Sequence, residues 1–338
     1  MADGFEIGGI RIARGETRRI ELPVVRLYTD TEMAIPVYVQ RGKKAGPTMF
    51  VCAAIHGDEL NGIEIISRLI RSRALKSLRG TLIAVPIVNV YGVLEQSRYL
   101  PDRRDLNRSF PGSSKGSLAA RMAHVFLDQI ISKCDYGIDL HTGAIHRSNL
   151  PQIRGNLDDE ETRAMANAFG VPVLLNSTLR DGSLRQTAAD LGVRILLYEA
   201  GEALRFDEFC IRAGLKGILN VLRYLQMLPK GRRQQSIEPF IARRSGWLRA
   251  GDSGIVNHKK RLGDHVVKGE LLATIADPYG HELDRIQCNA DGIIIGKQNI
   301  PLVQEGEAMY HIAYFHEPHE VAESLEALQD SLLPDENF

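Results

Sequence analysis

The sequence predicts an α/β protein: a mixed sheet flanked by helices, followed by a smaller all-β domain. Three observations predict it. Continuous apolar runs of five to eight residues alternate with segments whose apolar residues recur at helical spacing. After about residue 246 the chain turns to many glycines and short alternating stretches. Between the two lies KGRRQQSIEPF (230–240), polar and basic, which reads as a linker. A length of 338 residues suits one large domain and a small one.

The elements follow in order. Residues 1–46 read as short extended segments, among them IRIA, IELPVV and IPVYVQRG. TMFVCAAI (48–55) is apolar throughout, as a strand covered on both faces must be. Leu60, Ile63, Ile66, Leu69 and Ile70 then fall on one face of a helix. TLIAVPIV (81–88) is a second buried strand, and Leu118, Met122, Val125, Phe126 and Ile130 mark an amphipathic helix. YGIDL (136–140) is the next strand, 158–169 a helix, VPVLL (171–175) and VRILLY (193–198) two more strands. Phe206, Phe209, Cys210, Ala213, Ile218, Leu222 and Leu225 suit one long helix or two short ones, with Gly214 and Gly217 as weak points. GWLRAGDSGIV, GDHVVKGELLATI and CNADGIIIG carry the all-β pattern, and 321–333 suits a helix in an acidic tail. The expected divisions are 1–230, 231–320 and a tail of 321–338.

Forty-two basic residues balance forty-two acidic ones, so no global field points to nucleic acid or an anionic membrane; a local basic pocket stays open. The N-terminal residues lack the apolar core of a signal peptide, and no apolar run approaches the ~20 residues of a membrane span. Four scattered cysteines form no CxxC pair. Reduced thiols in a cytoplasmic protein, with no nucleic-acid or membrane partner, are the expectation.

HGDE (56–59) ends the first buried run. Strand ends are where an α/β fold carries its chemistry. Zinc takes imidazole nitrogen and carboxylate oxygen, and a catalytic site keeps a position for water. His56 and Glu59 flank one turn and can converge on one ion; His141, directly after YGIDL, supplies a third ligand, and Asp139 can orient an imidazole. An H-x-x-E/D pair alone is weak: with ten histidines about one is expected by chance, and HELD (281–284) is a second, read as a solvated turn. His146 competes with His141 for the third position. Asp58 reads as a helix-start residue, and Gly57 as the residue that permits the turn.

RYLPDRRDLNRSFPG (98–112) has no period and four arginines, so it is a loop. It is either a solvated basic loop, with Asp102 and Asp105 neutralising two arginines, or an anion pocket in which Arg grips a carboxylate with two hydrogen bonds. Glu199 in LLYEAGE follows an apolar strand, where partial burial raises a carboxylate towards the pKa of a general base. Glu202 is its rival. Arg154 and Arg185 fit the pocket or surface ion pairs.

HGDE, RY with DLNRSFPG, DLHTG and YEAGE, in this order, resemble the succinylglutamate desuccinylase and aspartoacylase family, zinc-dependent deacylases related to the metallocarboxypeptidases. The resemblance covers about residues 30 to 320. It implies a zinc carboxypeptidase-like sheet and one Zn2+ per chain, bound by His56, Glu59 and His141. It implies that Asn107 and Arg108 bind a substrate carboxylate, that Arg98 polarises the scissile carbonyl and that Glu199 is the general base. PDRR adds arginines to the family pattern, so Arg103 competes with Arg98. Arg154 is expected to bind substrate. The implied reaction is hydrolysis of an N-acyl amino acid or similar small carboxylate. A carboxypeptidase-like peptidase and a non-catalytic binding relative are the rivals, and a homodimer or homotetramer is reasonable for the family.

GDHVVKGELLATI is similar to a half-motif of biotinyl- and lipoyl-type domains. The turn that would carry their modified lysine reads ADPYGHELD and has none, so no swinging arm is expected. A cap beside the site is expected instead, with His258, His265 and His281 on the surface and Tyr279 or Tyr310 reaching the substrate.

Overall fold

The computed structural model describes residues 4–177, 180–231, 239–242, 244–315 and 318–332. Most of the expected linker (232–238) and the end of the acidic tail (333–338) lie outside the described residues.

β1 (Thr17–Arg26) and β2 (Glu32–Arg41) form an antiparallel hairpin. β3 (Lys44–Ala53), α1 (Asn61–Arg71) and β4 (Arg79–Val85) make a parallel crossover. α2 (Leu118–Gln129) leads to β5 (Tyr136–Gly143), which runs parallel to β3 on its other side. β6 (Arg147–Gly155) turns back, and α3 (Glu160–Phe169), β7 (Val173–Asn176) and α4 (Leu184–Asp190) follow. β8 (Arg194–Glu202) inserts between β5 and β6, parallel to the first and antiparallel to the second. After α5 (Glu208–Tyr224) come β9 (Arg244–Arg249), β10 (Gly254–His258), β11 (Leu271–Ala276), β12 (Glu282–Gln287), β13 (Gly292–Gln298), β14 (Ala308–Tyr314) and α6 (Pro318–Leu332).

The main sheet runs β9-β14-β13-β6-β8-β5-β3-β4-β2-β1, while β12-β11-β10 belong to a second sheet. The architecture is therefore α/β with a mixed sheet flanked by helices and a β-rich C-terminal region. That region is joined to the rest by backbone pairing. β13 runs antiparallel to β6, with Gly296 opposite Asn149 and Gln298 opposite Arg147.

Alternate residues of β3 explain its apolar sequence. Met49, Val51 and Ala53 face a core shared with Ile65 and Leu69 of α1, Phe169 of α3 and Val221 of α5. Phe50 and Cys52 face a second core with Met122 and Phe126 of α2 and Leu184 of α4. Both faces are covered, so no position on this stretch tolerates a polar side chain. The four cysteines are free and buried, packed as apolar residues.

Three expectations need adjustment. His141 and Glu199 lie within β5 and β8, which run further than their apolar residues do. β6 was not foreseen as a strand, because Pro151 and Gln152 break its apolar pattern. α5 is one continuous helix, and its glycines are contact points. A Cβ at Gly217 would stand 2.1 Å from the Phe169 ring, and one at Gly214 2.6 Å from Ile65.

The parallel strands β3, β4, β5 and β8 end on one edge of the sheet, the edge where an α/β fold places its ligands. In an open helix Gly→Ala gains about 1 kcal/mol. Here the Phe169 contact reverses the sign. Gly217→Ala is expected to lose about 1–3 kcal/mol in urea unfolding; a gain in stability would refute the packing account.

Candidate active site

After Ala53 the chain makes one turn before α1. Ala54 adopts φ 53°, and its carbonyl accepts from the Asn89 N–H at 2.9 Å. The His56 carbonyl accepts from the Glu59 N–H at 3.2 Å, which closes the turn and brings the two side chains to one side. Gly57 is required for a different reason than expected. Its φ is ordinary, but a Cβ there would lie 1.8 Å from the Gly92 carbonyl carbon. Asp58 does not cap α1: the N-cap is Leu60, without a side-chain bond. Asp58 is buried, and burial followed by the charge of Glu59 raises its pKa.

His56, Glu59 and His141 form one buried cluster, their ligand atoms all within 4.8 Å of one another. Glu59 joins the histidines: Oε1 is 2.7 Å from His56 Nδ1 and Oε2 is 2.7 Å from His141 Nδ1. The Thr142 N–H also donates to Oε2, at 3.1 Å. Each imidazole is anchored at its far nitrogen by a carboxylate, Asp105 at 3.2 Å from His56 Nε2 and Asp139 at 2.8 Å from His141 Nε2. Burial pushes the Glu59 carboxyl up, but the two imidazoles pull it well below the usual carboxylate range. Burial lowers both histidines, and their acid partners outweigh it and raise them.

Two imidazoles and a carboxylate, converging on one point and each ring held from behind by an acid, are a donor set that a catalytic zinc ion takes. Asp139 was foreseen in this supporting role. Asp105 was not, although its place in RRDLNR, between the arginines and Asn107, was visible.

A cleft of about 650 Å³ opens over the cluster. Glu199 stands beside His141, its register partner across the parallel β8–β5 pair. Arg154, on β6, lies 2.7 Å from Glu199 Oε2 in an ion pair without a well-aligned hydrogen bond. Arg98 donates to Asp105 Oδ2 at 3.0 Å and Glu59 Oε1 at 3.4 Å. Asn107 accepts from the Leu184 N–H at 2.9 Å, the first residue of α4, which fixes its amide oxygen and leaves the NH2 for the cleft. Arg108 lines the same wall, with its Nη1 donating to the Asn107 carbonyl at 2.5 Å. Burial lowers the Arg108 pKa, and Arg180 and Arg98 add to that against the pull of Asp105.

The rivals stand elsewhere. Arg103 is exposed on a turn at φ 61° and is not among the cleft-lining residues. His146 sits at the β5–β6 turn, where its N–H donates to Glu202 at 3.1 Å. Glu202 also accepts from Asn299, at 2.9 Å. Neither tyrosine expected from the C-terminal region lines the cleft. Tyr279 is exposed on a turn, and Tyr310 is buried, its hydroxyl donating to the Leu272 carbonyl at 2.9 Å. Trp247 of β9 takes that place. It lines the cleft, stacks on His311 at 4.6 Å and carries Arg147 over its ring at 5.5 Å. His258 is half-buried against Tyr310, and burial lowers it to about 4.

The family model of the succinylglutamate desuccinylase/aspartoacylase catalytic domain matches residues 45–225, more than half of the chain. An N-alpha-acetyl-L-2,4-diaminobutyric acid deacetylase of Halomonas elongata is 29% identical over 306 residues, spanning 86% of this chain and 87% of that protein. A crystal structure of a succinylglutamate desuccinylase/aspartoacylase from Rhodobacter sphaeroides superimposes with a TM-score of 0.77 at 26% identity, covering 89% of this chain and 96% of the other. The product-bound ectoine utilization protein EutE (DoeB) of Ruegeria pomeroyi shares the fold, with a TM-score of 0.80, 24% identity, and coverage of 90% and 97%.

Metal analysis of purified variants tests the cluster. His141→Ala is expected to lose the ion, whereas Asp139→Asn keeps it with about 10–100-fold lower affinity. Stoichiometric metal in the His141→Ala protein would move the third ligand to another side chain.

Proposed function

The chain belongs to the succinylglutamate desuccinylase/aspartoacylase family, and on that premise we propose that it is a zinc-dependent deacylase. Its reaction is hydrolysis of the amide bond of an N-acylated amino acid or a similar small carboxylate. The observation that carries the reading is the His56–Glu59–His141 cluster with Glu199 in the adjoining register position, under an arginine-rich cleft.

His56, Glu59 and His141 would hold the zinc. A zinc ion bound there supplies Lewis acidity, which brings the pKa of water from 15.7 to around 7. Glu199 accepts the proton of the attacking water on its carboxylate. As the C–N bond breaks, it returns that proton to the amide nitrogen. Arg154 holds the Glu199 carboxylate over the cleft floor and extends the cationic wall that meets the substrate. Arg98 donates to the carbonyl oxygen as charge develops there. Asn107 and Arg108 grip the substrate carboxylate, so that the amide is positioned before reaction.

The cleft also speaks to the substrate's charge. Six arginines line it, against Glu59, Asp139 and Glu199. All three acids are already engaged, with the two imidazoles, with His141 and with Arg154. The surplus of positive charge favours a substrate with a second anionic group, on the acyl chain or the amino-acid side chain. It disfavours an amine side chain such as that of N-acetyldiaminobutyrate, the substrate in the name of the Halomonas relative.

A screen of amine release from N-acyl amino acids, run with metal analysis, tests both parts. Zinc with no release from any substrate would favour a binding relative. N-acyl derivatives of aspartate or glutamate are expected to exceed N-acetyldiaminobutyrate by at least about tenfold in kcat/KM, like-charge contact costing over 1.4 kcal/mol. The reverse order would overturn the charge argument alone. Glu199→Gln is expected to keep stoichiometric zinc and lose about 10²–10⁴-fold in kcat; near-normal turnover would remove Glu199 from the base role.

A further inference from the structure

A second cleft, of about 870 Å³, lies at the other edge of the sheet, where β3 and β4 begin. It is separated from His56 by the length of β3, roughly 30 Å for a ten-residue strand. Its walls come from four separate parts of the chain: the turn before β1, the β2–β3 connection, the segment 75–79 before β4, and the end of α5 with the residues after it.

Among the described residues, seven cationic side chains and no carboxylate line it. Lys43, Lys44, Lys76, Arg79 and Lys230 are exposed and make no ion pair among the described residues. Arg223 donates to Asn220 at 3.1 Å, and Arg41 donates to the Ile12 carbonyl at 2.7 Å. The nearest acid in sequence, Glu16, is engaged by Arg18 and by the Ala13 N–H. In a chain with equal numbers of acids and bases, this one-sign cleft is a departure.

The floor is firm. The Gly42 N–H donates to the Gly80 carbonyl and the Arg79 N–H to the Met227 carbonyl, both at 2.8 Å. A Cβ at Gly42 would stand 2.1 Å from the Leu78 carbonyl oxygen. The cations therefore surround a concavity set by backbone packing, and low-dielectric walls concentrate their field within it.

We propose that this cleft binds a small molecule bearing a di- or triphosphate. A single carboxylate would leave most of the field uncompensated, whereas a phosphate chain places several charges in a small volume. Four of the seven cations are lysines, compact point charges of the kind that bind phosphate. The volume is in the range of small-molecule sites. The half-exposed Tyr224 ring and Pro229 at the rim give an apolar surface on which a base can lie.

The test is calorimetric titration of the full chain with inorganic triphosphate and, separately, with ATP, both at about 0.1 M salt. One site tighter than about 100 μM is expected for at least one probe. Binding of both assigns recognition to the phosphate chain, and binding of ATP alone assigns part of it to the base; either supports the proposal. Lys76→Glu/Arg79→Glu is expected to weaken binding at least about tenfold and leave deacylase turnover unchanged, which also shows that the variant folds. Arg108→Ala/Arg180→Ala, in the catalytic cleft, is expected to leave binding unchanged. The proposal fails if neither probe binds, if binding survives the Lys76→Glu/Arg79→Glu reversal, or if it is lost with the arginines of the catalytic cleft.

Discussion

The Glu59 carboxylate lies between two imidazoles, one from the turn after β3 and one from β5, and the edge of the molecule that bears the cleft is arranged around it. A buried carboxylate without partners would be strongly destabilising. Glu59 is tolerated because each oxygen has an imidazole 2.7 Å away and the Thr142 N–H supplies a further donor. Each imidazole in turn needs its own acid, Asp105 or Asp139. The arrangement requires β3 and β5 to be neighbours, parallel and ended together. It also requires the loop that carries Asp105 to close over them.

That requirement explains other features. Ala54 sits in the left-handed region at φ 53°, and Gly57 packs on Gly92 with no room for a side chain. Both belong to the single turn that aims His56 and Glu59. The loop of Arg98, Asp105, Asn107 and Arg108 is held at both ends of its polar stretch, through His56 on one side and the Leu184 N–H on the other. β8 then brings Glu199 beside His141 by register alone. Because β13 continues the sheet past β6, the C-terminal strands become a wall of the cleft and bring Trp247 to it.

Charge tells a parallel story. Equal numbers of acids and bases say only that no global field exists. Among the described residues, folding sorts the charges so that six arginines surround the cleft over the His56–Glu59–His141 cluster and seven basic side chains surround a second cleft at the far edge. The acids that balance them are spent in surface pairs such as Arg68 with Glu208, or inside the His56–Glu59–His141 cluster. Electrostatic steering belongs to such local surpluses, and composition averages them away.

The sequence by itself determined the layer architecture, the strands that bear the site, and the family. Continuous apolar runs of five to eight residues have the length of strands covered on both faces, and HGDE, DLNR, DLHTG and YEAGE are local patterns that survive without coordinates. The placement of His56, Glu59, His141, Glu199, Arg98, Asn107 and Arg108 in one cleft was legible for that reason. Only the tertiary structure puts Arg98 and Glu199 in the cleft lining and leaves Arg103 and Glu202 out of it, because each pair differs by where the chain turns and not by residue type. Asp105 as the anchor of His56, and Trp247 in the place expected for a tyrosine, were also beyond the sequence. Those contacts join residues 49 positions apart, or cross from β9 to the catalytic edge through sheet pairing that leaves no local periodicity.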